Sequence, residues 1–151
     1  MQPEPNYRAC VDPGDITQLT DGKTVAVTEQ NVGPWVKKEM VGWAKKRDPI
    51  MITLDLESDQ AISGFGFHTA AGGGGVVWPA QIAVFTGVDG KEWHYEGDLR
   101  VMSASASSAP SDGGGFGGAV MHLFSTRDLK THGRYVRFVI VGSTYVFSDE
   151  V

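Results

Sequence analysis

Residues 49–57 read PIMITLDLE, with Ile50, Ile52, Leu54 and Leu56 alternating against Met51, Thr53, Asp55 and Glu57. Successive side chains of an extended strand point to opposite faces, so this run buries one face and presents the other to water. Downstream, 61–69 repeats the pattern through Ile62, Phe65 and Phe67, with the phase slipping by one between Ile62 and Phe65. Segments 81–86, 92–97, 119–124 and 134–141 read as further strands, and 145–151 as a closing one. Between the third and fourth, Asp89-Gly90 supplies the positive-φ positions of a tight hairpin. Upstream, the Lys and Glu residues within 36–42 suit either a turn of helix or a loop. About seven short strands with turn signals between them close most simply as an all-β, two-sheet antiparallel sandwich.

The chain has 151 residues, enough for one hydrophobic core, and 20 glycines that favour short strands joined by irregular loops. Pro3, Pro5, Pro13 and Gly14 mark residues 1–18 as an N-terminal arm laid against a domain spanning 19–151. Within that domain, 103–118 (SASASSAPSDGGGFGG) has few side chains able to offset ordering entropy and reads as a long Gly/Ser-rich loop. No repeat of 20–50 residues is visible, which argues against a solenoid or propeller.

The net charge of −5 disfavours a nucleic-acid partner, which usually needs a basic stripe. Lys37, Lys38, Lys45, Lys46 and Arg47 read as solvated loop surface. Cys10 is the single cysteine, so no intrachain disulfide or cysteine-based metal cluster can form. The start, MQPEPNYR, lacks the apolar stretch of a signal peptide, and no run has the length needed for membrane insertion.

LTDGK at 19–23, VGW at 41–43, ITLDL at 52–56, ISGFGFHTAAGGGGVVWP at 62–79, DGKEWH at 89–94 and the 127–150 segment RDLKTHGRYVRFVIV…YVFSDE carry a further signal. Together they resemble the discoidin-like, coagulation factor 5/8 type C superfamily of galactose-binding-domain-like sandwiches. The likeness is greatest to the bacterial modules appended to carbohydrate-active and cell-surface proteins. It implies a jelly-roll sandwich, a carbohydrate or polysaccharide partner, other domains of a parent protein, and an extracellular, periplasmic or cell-surface setting. It also implies one structural calcium, carried onto Leu19, Asp21 and Lys23 of the early loop and Ser148 and Glu150 of the last strand. Calcium takes several oxygen ligands and accepts backbone carbonyls, which suits that set. One departure stands out: the loop continues DGKTVAVTE, so Lys23 can contribute only its backbone.

Candidate ligand residues follow from the chemistry of sugars, which offer a C–H face beside hydroxyls and call for an aromatic platform with hydrogen-bonding neighbours. Trp78 lies beyond the Gly72–Gly75 run, and His68 precedes it. Trp78 is read either as that platform or as a plug at one end of the sandwich, and His68 as a ligand to a hydroxyl or to a loop carbonyl. Trp35, Trp43 and Tyr145 are candidates for the same rim, Trp43 alternatively as a lock on its loop. Arg8 and Lys37 could bond hydroxyls or an acidic sugar. The glycine run lacks the Lys-Ser/Thr or GxGxxG context of a phosphate cradle.

Catalysis finds little support. Asp55, Glu57, Asp98, Asp128 and Glu150 are scattered, and His68, His94, His122 and His132 lack metal-ligand spacing. No GxSxG elbow is present, and Cys10 sits in the Pro-rich arm. The residues are expected to form a non-catalytic carbohydrate-binding domain, the competing expectation being a structural or protein-interaction sandwich whose aromatics hold loops together.

Overall fold

A computed structural model describes residues 1–26, 33–44, 49–104, 109–110, 118–142 and 144–151. These form eight strands: β1 Val41–Ala44, β2 Ile50–Ile62, β3 Phe65–Ala71, β4 Gln81–Gly87, β5 His94–Asp98, β6 Val120–Thr126, β7 Thr131–Val141 and β8 Tyr145–Glu150. Two short helices, α1 (Asp15–Gln18) and α2 (Leu99–Ala104), accompany them, with a 3-10 turn at Pro34–Val36. One sheet has the order β1-β8-β3-β6 and the other β2-β7-β4-β5, antiparallel throughout. This is the expected two-sheet jelly-roll sandwich. No described helix is long and apolar enough to cross a membrane.

The alternation in 49–57 does what the residue pattern dictates. Ile50 and Ile52 are buried, and β2 lies against β7 with Ile52 opposite Phe138. From the other sheet, Phe65 and Phe67 meet Phe138 with ring centroids 6.4 and 6.2 Å apart. Ile82, Val84, Leu99, Phe124, Val136, Ile140, Val146 and Trp43 complete this core.

A second apolar cluster lies on the outer side of the first sheet. Phe147 and Ala70 are buried there with Cys10, Val25, Met40 and Val76, and Tyr7, Trp35, Met121 and Tyr145 pack around them. The N-terminal arm reaches this face from the edge of the second sheet. Gln2 bridges to Met51, the Asn6 and Tyr7 N–H groups donate to the Gly42 carbonyl, and Trp43 Nε1 donates to Pro3 O at 2.9 Å. Strand β8 is therefore buried on both faces: Val146, Phe147, Ser148 and Asp149 are all inaccessible. Burial pushes the Cys10 thiol up to about 11, which keeps it protonated and chemically quiet on the covered side of the arm.

Four sequence expectations are corrected. The strand read at 61–69 contains a turn: β2 runs on to Ile62, β3 starts at Phe65, and the phase slip is the Ser63-Gly64 corner. A Cβ on Gly64 would sit 2.2 Å from Thr126 O, so only glycine allows this corner to approach β6. The stretch 36–42, expected as helix or loop, is loop over 37–40 but follows the 3-10 turn Pro34–Val36 and runs into edge strand β1, too short for its period to show. The tight hairpin at Asp89-Gly90 is a six-residue connection, because β5 begins only at His94. Asp89 Oδ1 accepts the Lys91 and Glu92 N–H groups there, and Gly90 takes φ +71°. The loop expected at 103–118 begins with the end of α2, and 105–108 and 111–117 lie outside the described residues.

The outward face of β2 and β7 carries a forked ion pair, Arg134 Nε and Nη2 each donating to Asp55 at 2.8 Å. The guanidinium holds the Asp55 carboxyl down to about 2, against an ordinary 3.8. A depressed carboxyl pKa contributes stability above the unfolded value, lost as pH falls through the folded one. The pair is exposed, so that contribution is small. In an NMR titration, Arg134→Gln should move the Asp55 midpoint from about 2 toward 3.8.

Candidate functional site

The outer cluster has an opening. Tyr7, Trp35, Gly74, Val76, Tyr145 and Phe147 line a cleft of about 70 Å³ where the arm, the 3-10 turn, the glycine loop and the start of β8 converge. Each element is fixed locally. Tyr7 is set by its own N–H on Gly42 O and by edge-on contact with Phe147, 4.8 Å between centroids. Pro34 opens the 3-10 turn that carries Trp35, and Gly33 precedes it because a Cβ there would fall 1.9 Å from the indole. Tyr145 stands edge-on to Tyr7 at 5.8 Å and is stacked with Phe147 at 6.3 Å.

The glycine loop closes the cleft. Gly72 (φ +110°) donates its N–H to Val76 O at 2.9 Å, and a Cβ on it would lie 2.6 Å from Gly118 O. Gly74 and Gly75 also take positive φ, and both are exposed, so bare backbone is presented beside the aromatic rings. Arg8, next to Tyr7, is exposed, and Lys37 Nζ reaches Ala26 O at 3.4 Å. Trp35, Tyr145 and the glycines are thus brought together as the sequence suggested.

Trp78 and His68 are separated. Trp78 is half-buried and packs edge-on to Phe124 and His122, 5.9 and 5.8 Å away, with Nε1 donating to Pro110 O at 3.1 Å. Arg100 Nη1 donates to the Pro79 and Ala80 carbonyls and pins the loop beyond it. Burial, and then the charge of His68, lower the His122 pKa and favour a neutral ring behind Trp78. His68 faces the other way: it pairs in register with Leu123, whereas Phe67 pairs with Phe124 on the inner face. Its Nδ1 lies 2.6 Å from Oδ1 of Asp149, whose other oxygen accepts the Val25 N–H. His68 is a clasp between β3, β8 and the loop at Val25, its side chain 14% exposed. Trp43 is corrected outright as a ligand candidate. It is 1% exposed, and it anchors the arm through Pro3.

At the other end of the first sheet, residues 19–23 meet the C-terminus. Leu19 O accepts the Val151 N–H at 2.9 Å, and Glu150 Oε2 accepts the Gly22 N–H at 3.1 Å. Asp21 accepts the Lys23 N–H at 2.9 Å and pairs with Lys23 Nζ at 3.1 Å. The Lys23 side chain therefore folds onto Asp21. Ser148 is buried with its hydroxyl donated to His68 O at 2.8 Å. Desolvation, opposed by the Gly22 N–H and reinforced by Asp21 and Asp149, raises the Glu150 pKa. Two neighbouring carboxylates and loop carbonyls are donors of the right type for calcium, with water needed to complete six to eight ligands. Among the described residues, no three His, Cys, Asp or Glu side chains converge on one point.

Sequence reading missed Tyr7, Val76 and Phe147. Tyr7 lies in a Pro-rich arm where periodicity carries no information, and Phe147 faces outward from a strand whose outer side is ordinarily wet.

No family model matches the chain, and no curated protein does. Solved structures do share the fold. CpGH89CBM32-6 of Clostridium perfringens superposes with a TM-score of 0.52 at 17% identity, over 93% of this chain and 84% of that one. CBM32-1 from a family 31 glycoside hydrolase of Clostridium perfringens gives 0.53 at 10% identity, with the same coverage. CpGH89CBM32-5 of the same organism, solved in complex with GalNAc-β-1,3-galactose, gives 0.51 at 16% identity, over 88% of this chain and 78% of that one. The chain shares the jelly-roll sandwich fold of these modules.

The contrast between the tryptophans is measurable. Trp43→Ala should lower unfolding free energy by about 3–5 kcal/mol in a urea titration, the usual loss for a buried large aromatic. Trp35→Ala, at a half-buried position, should lose less than half as much and leave the fold intact.

Proposed function

We propose that this chain is a non-catalytic carbohydrate-binding module of a larger extracellular or cell-surface protein. The saccharide docks at the cleft of Tyr7, Trp35 and Tyr145 against the Gly74-Gly75 backbone. The observation that carries the reading is that cleft: three aromatic rings from three separate elements converge beside exposed backbone amides at one end of the first sheet. Such a surface matches a sugar ring, with aromatic faces for the C–H patch and N–H groups for hydroxyls. Arg8 and Lys37 flank it in the chain and supply further donors. The complex of a like-folded Clostridium perfringens module with GalNAc-β-1,3-galactose supports the ligand class. Trp78 and His68 act behind the surface, setting the loop and β3.

The cleft admits part of one sugar ring, so a monosaccharide should bind with a dissociation constant on the order of 1 mM, about −4 kcal/mol. A glycan and soluble-polysaccharide panel tests this, followed by titration of Trp35→Ala and Tyr145→Ala. The expected result is a specific hit weakened roughly tenfold or more by each substitution, with the circular dichroism spectrum unchanged. A clean negative from the folded domain, or a hit indifferent to both substitutions, rejects the cleft in favour of a structural or protein-partner role.

One structural calcium at the opposite end completes the proposal. Asp21 and Glu150 would supply carboxylates and Leu19 and Lys23 carbonyls, with the Lys23 ammonium turned out to water. Its loss should lower the melting temperature without changing saccharide specificity. Adding calcium to chelator-treated protein should raise the melting temperature and bring down the Glu150 pKa in an NMR titration. No change in either quantity would mean that the Lys23–Asp21 pair stands without a metal.

A further inference from the structure

Strand β4 starts beside the glycine loop and ends at Gly87, so the 88–93 connection lies at the far end of the sandwich from the aromatic cleft. There the second sheet has a groove of about 670 Å³, bordered by Trp93, Asp89, Glu92, Lys130 and His132 and by exposed Val88. Trp93 precedes β5 and is half-buried, so its ring borders the groove instead of entering the core. The Arg137 guanidinium lies 3.9 Å from its centroid, and Tyr135 meets it edge-on at 6.4 Å. Arg137 is itself held by Nε donating to Thr53 Oγ1 at 3.0 Å. The indole is thus fixed before any ligand arrives, which removes an ordering cost from binding.

On the outward face of the sheet, opposite the one on which Thr86 and His94 line the groove, a row of side chains backs Trp93 through Arg137. Register places Thr53, Arg137, Phe85 and Tyr95 in one row across β2, β7, β4 and β5. Phe85 and Tyr95 lie 5.2 Å apart, and Tyr95 is 50% exposed. The groove's charges do not favour an ionic ligand. Asp89 and Glu92 are balanced in part by Lys130, and His132 is engaged by Asp59 at 2.9 Å, so the rim carries both signs. A rigid aromatic platform rimmed by mixed donors and acceptors, with no single-sign field, matches an uncharged polyhydroxylated chain.

We propose that the groove at Trp93 is a second saccharide-binding site that takes a segment of neutral polysaccharide. Two sites at opposite ends of one domain let it engage one long chain or two neighbouring chains, and simultaneous engagement raises retention on polymer above that on oligomer.

The four tryptophans give four indole N–H signals, assignable through single Trp→Phe variants. The wild-type domain is titrated with laminarihexaose, cellohexaose and mannohexaose as neutral probes and with an alginate hexamer as the anionic one. The Trp93 signal should shift with at least one neutral hexamer, and still do so in Trp35→Ala. It should stay still in Val88→Arg, which fills the groove from an exposed position and leaves the Trp93–Arg137 contact in place. Retention on the matching polymer in affinity electrophoresis should fall roughly tenfold or more in Val88→Arg. The proposal is overturned if the Trp93 signal is static with every neutral hexamer, or moves only with alginate. It is equally overturned if the response disappears in Trp35→Ala and persists in Val88→Arg, which would leave the cleft as the single site.

Discussion

The structure turns on the absence of a side chain at Gly42. A Cβ there would fall 2.7 Å from Cys10 Sγ and 2.8 Å from both Phe147 and Tyr7. At this point β1 lets the N-terminal arm lie directly on the first sheet, with the Gly42 carbonyl accepting two arm N–H groups. Once the arm is down, Phe147 is buried, Tyr7 stands edge-on to it, and the outer side of the sheet becomes a second apolar cluster. The aromatic cleft is the opening left in that cluster. The arm therefore builds the candidate site as well as covering the sheet.

The same burial explains the polar anchors around β8. Asp149 is fully buried on the outer side, where His68 and the Val25 N–H satisfy its two oxygens. Thr69 is buried too and donates its hydroxyl to the Phe147 carbonyl. A carboxylate taken out of water is stable only when paired and hydrogen-bonded, so these contacts hold the loop at Val25 and the final strand in one arrangement. They also account for His68, which chemistry alone would place equally well on a sugar hydroxyl.

The fold was legible because β2 and β7 alternate over long stretches, and an alternating run with one wet face admits few readings. Legibility failed where an element is short or has both faces covered. VGWA at β1 is four residues and looked like loop; Tyr7 lies in a segment without period. Ser63-Gly64 turned the chain inside what read as one strand, and the only trace in the sequence was a one-residue slip of phase. In the site, Trp35, Tyr145 and the glycines could be grouped from residue type and loop position. Separating His68 from Trp78 required the β3–β6 register, which turns His68 outward, and the ring contacts of Trp78 with His122 and Phe124 on the other side. Asp89-Gly90 read as a tight hairpin, and the longer connection is what brings Trp93 to the edge of a groove.

The chain thus combines a jelly-roll scaffold with aromatic surfaces set by packing at two ends. A crystal structure of the domain soaked with the saccharide that binds best tests the central reading most directly. The expected result is a sugar ring against Trp35 and Tyr145, with a hydroxyl within hydrogen-bond distance of the Gly74 or Gly75 backbone. A saccharide bound only elsewhere, with Tyr7, Trp35 and Tyr145 untouched, would contradict it.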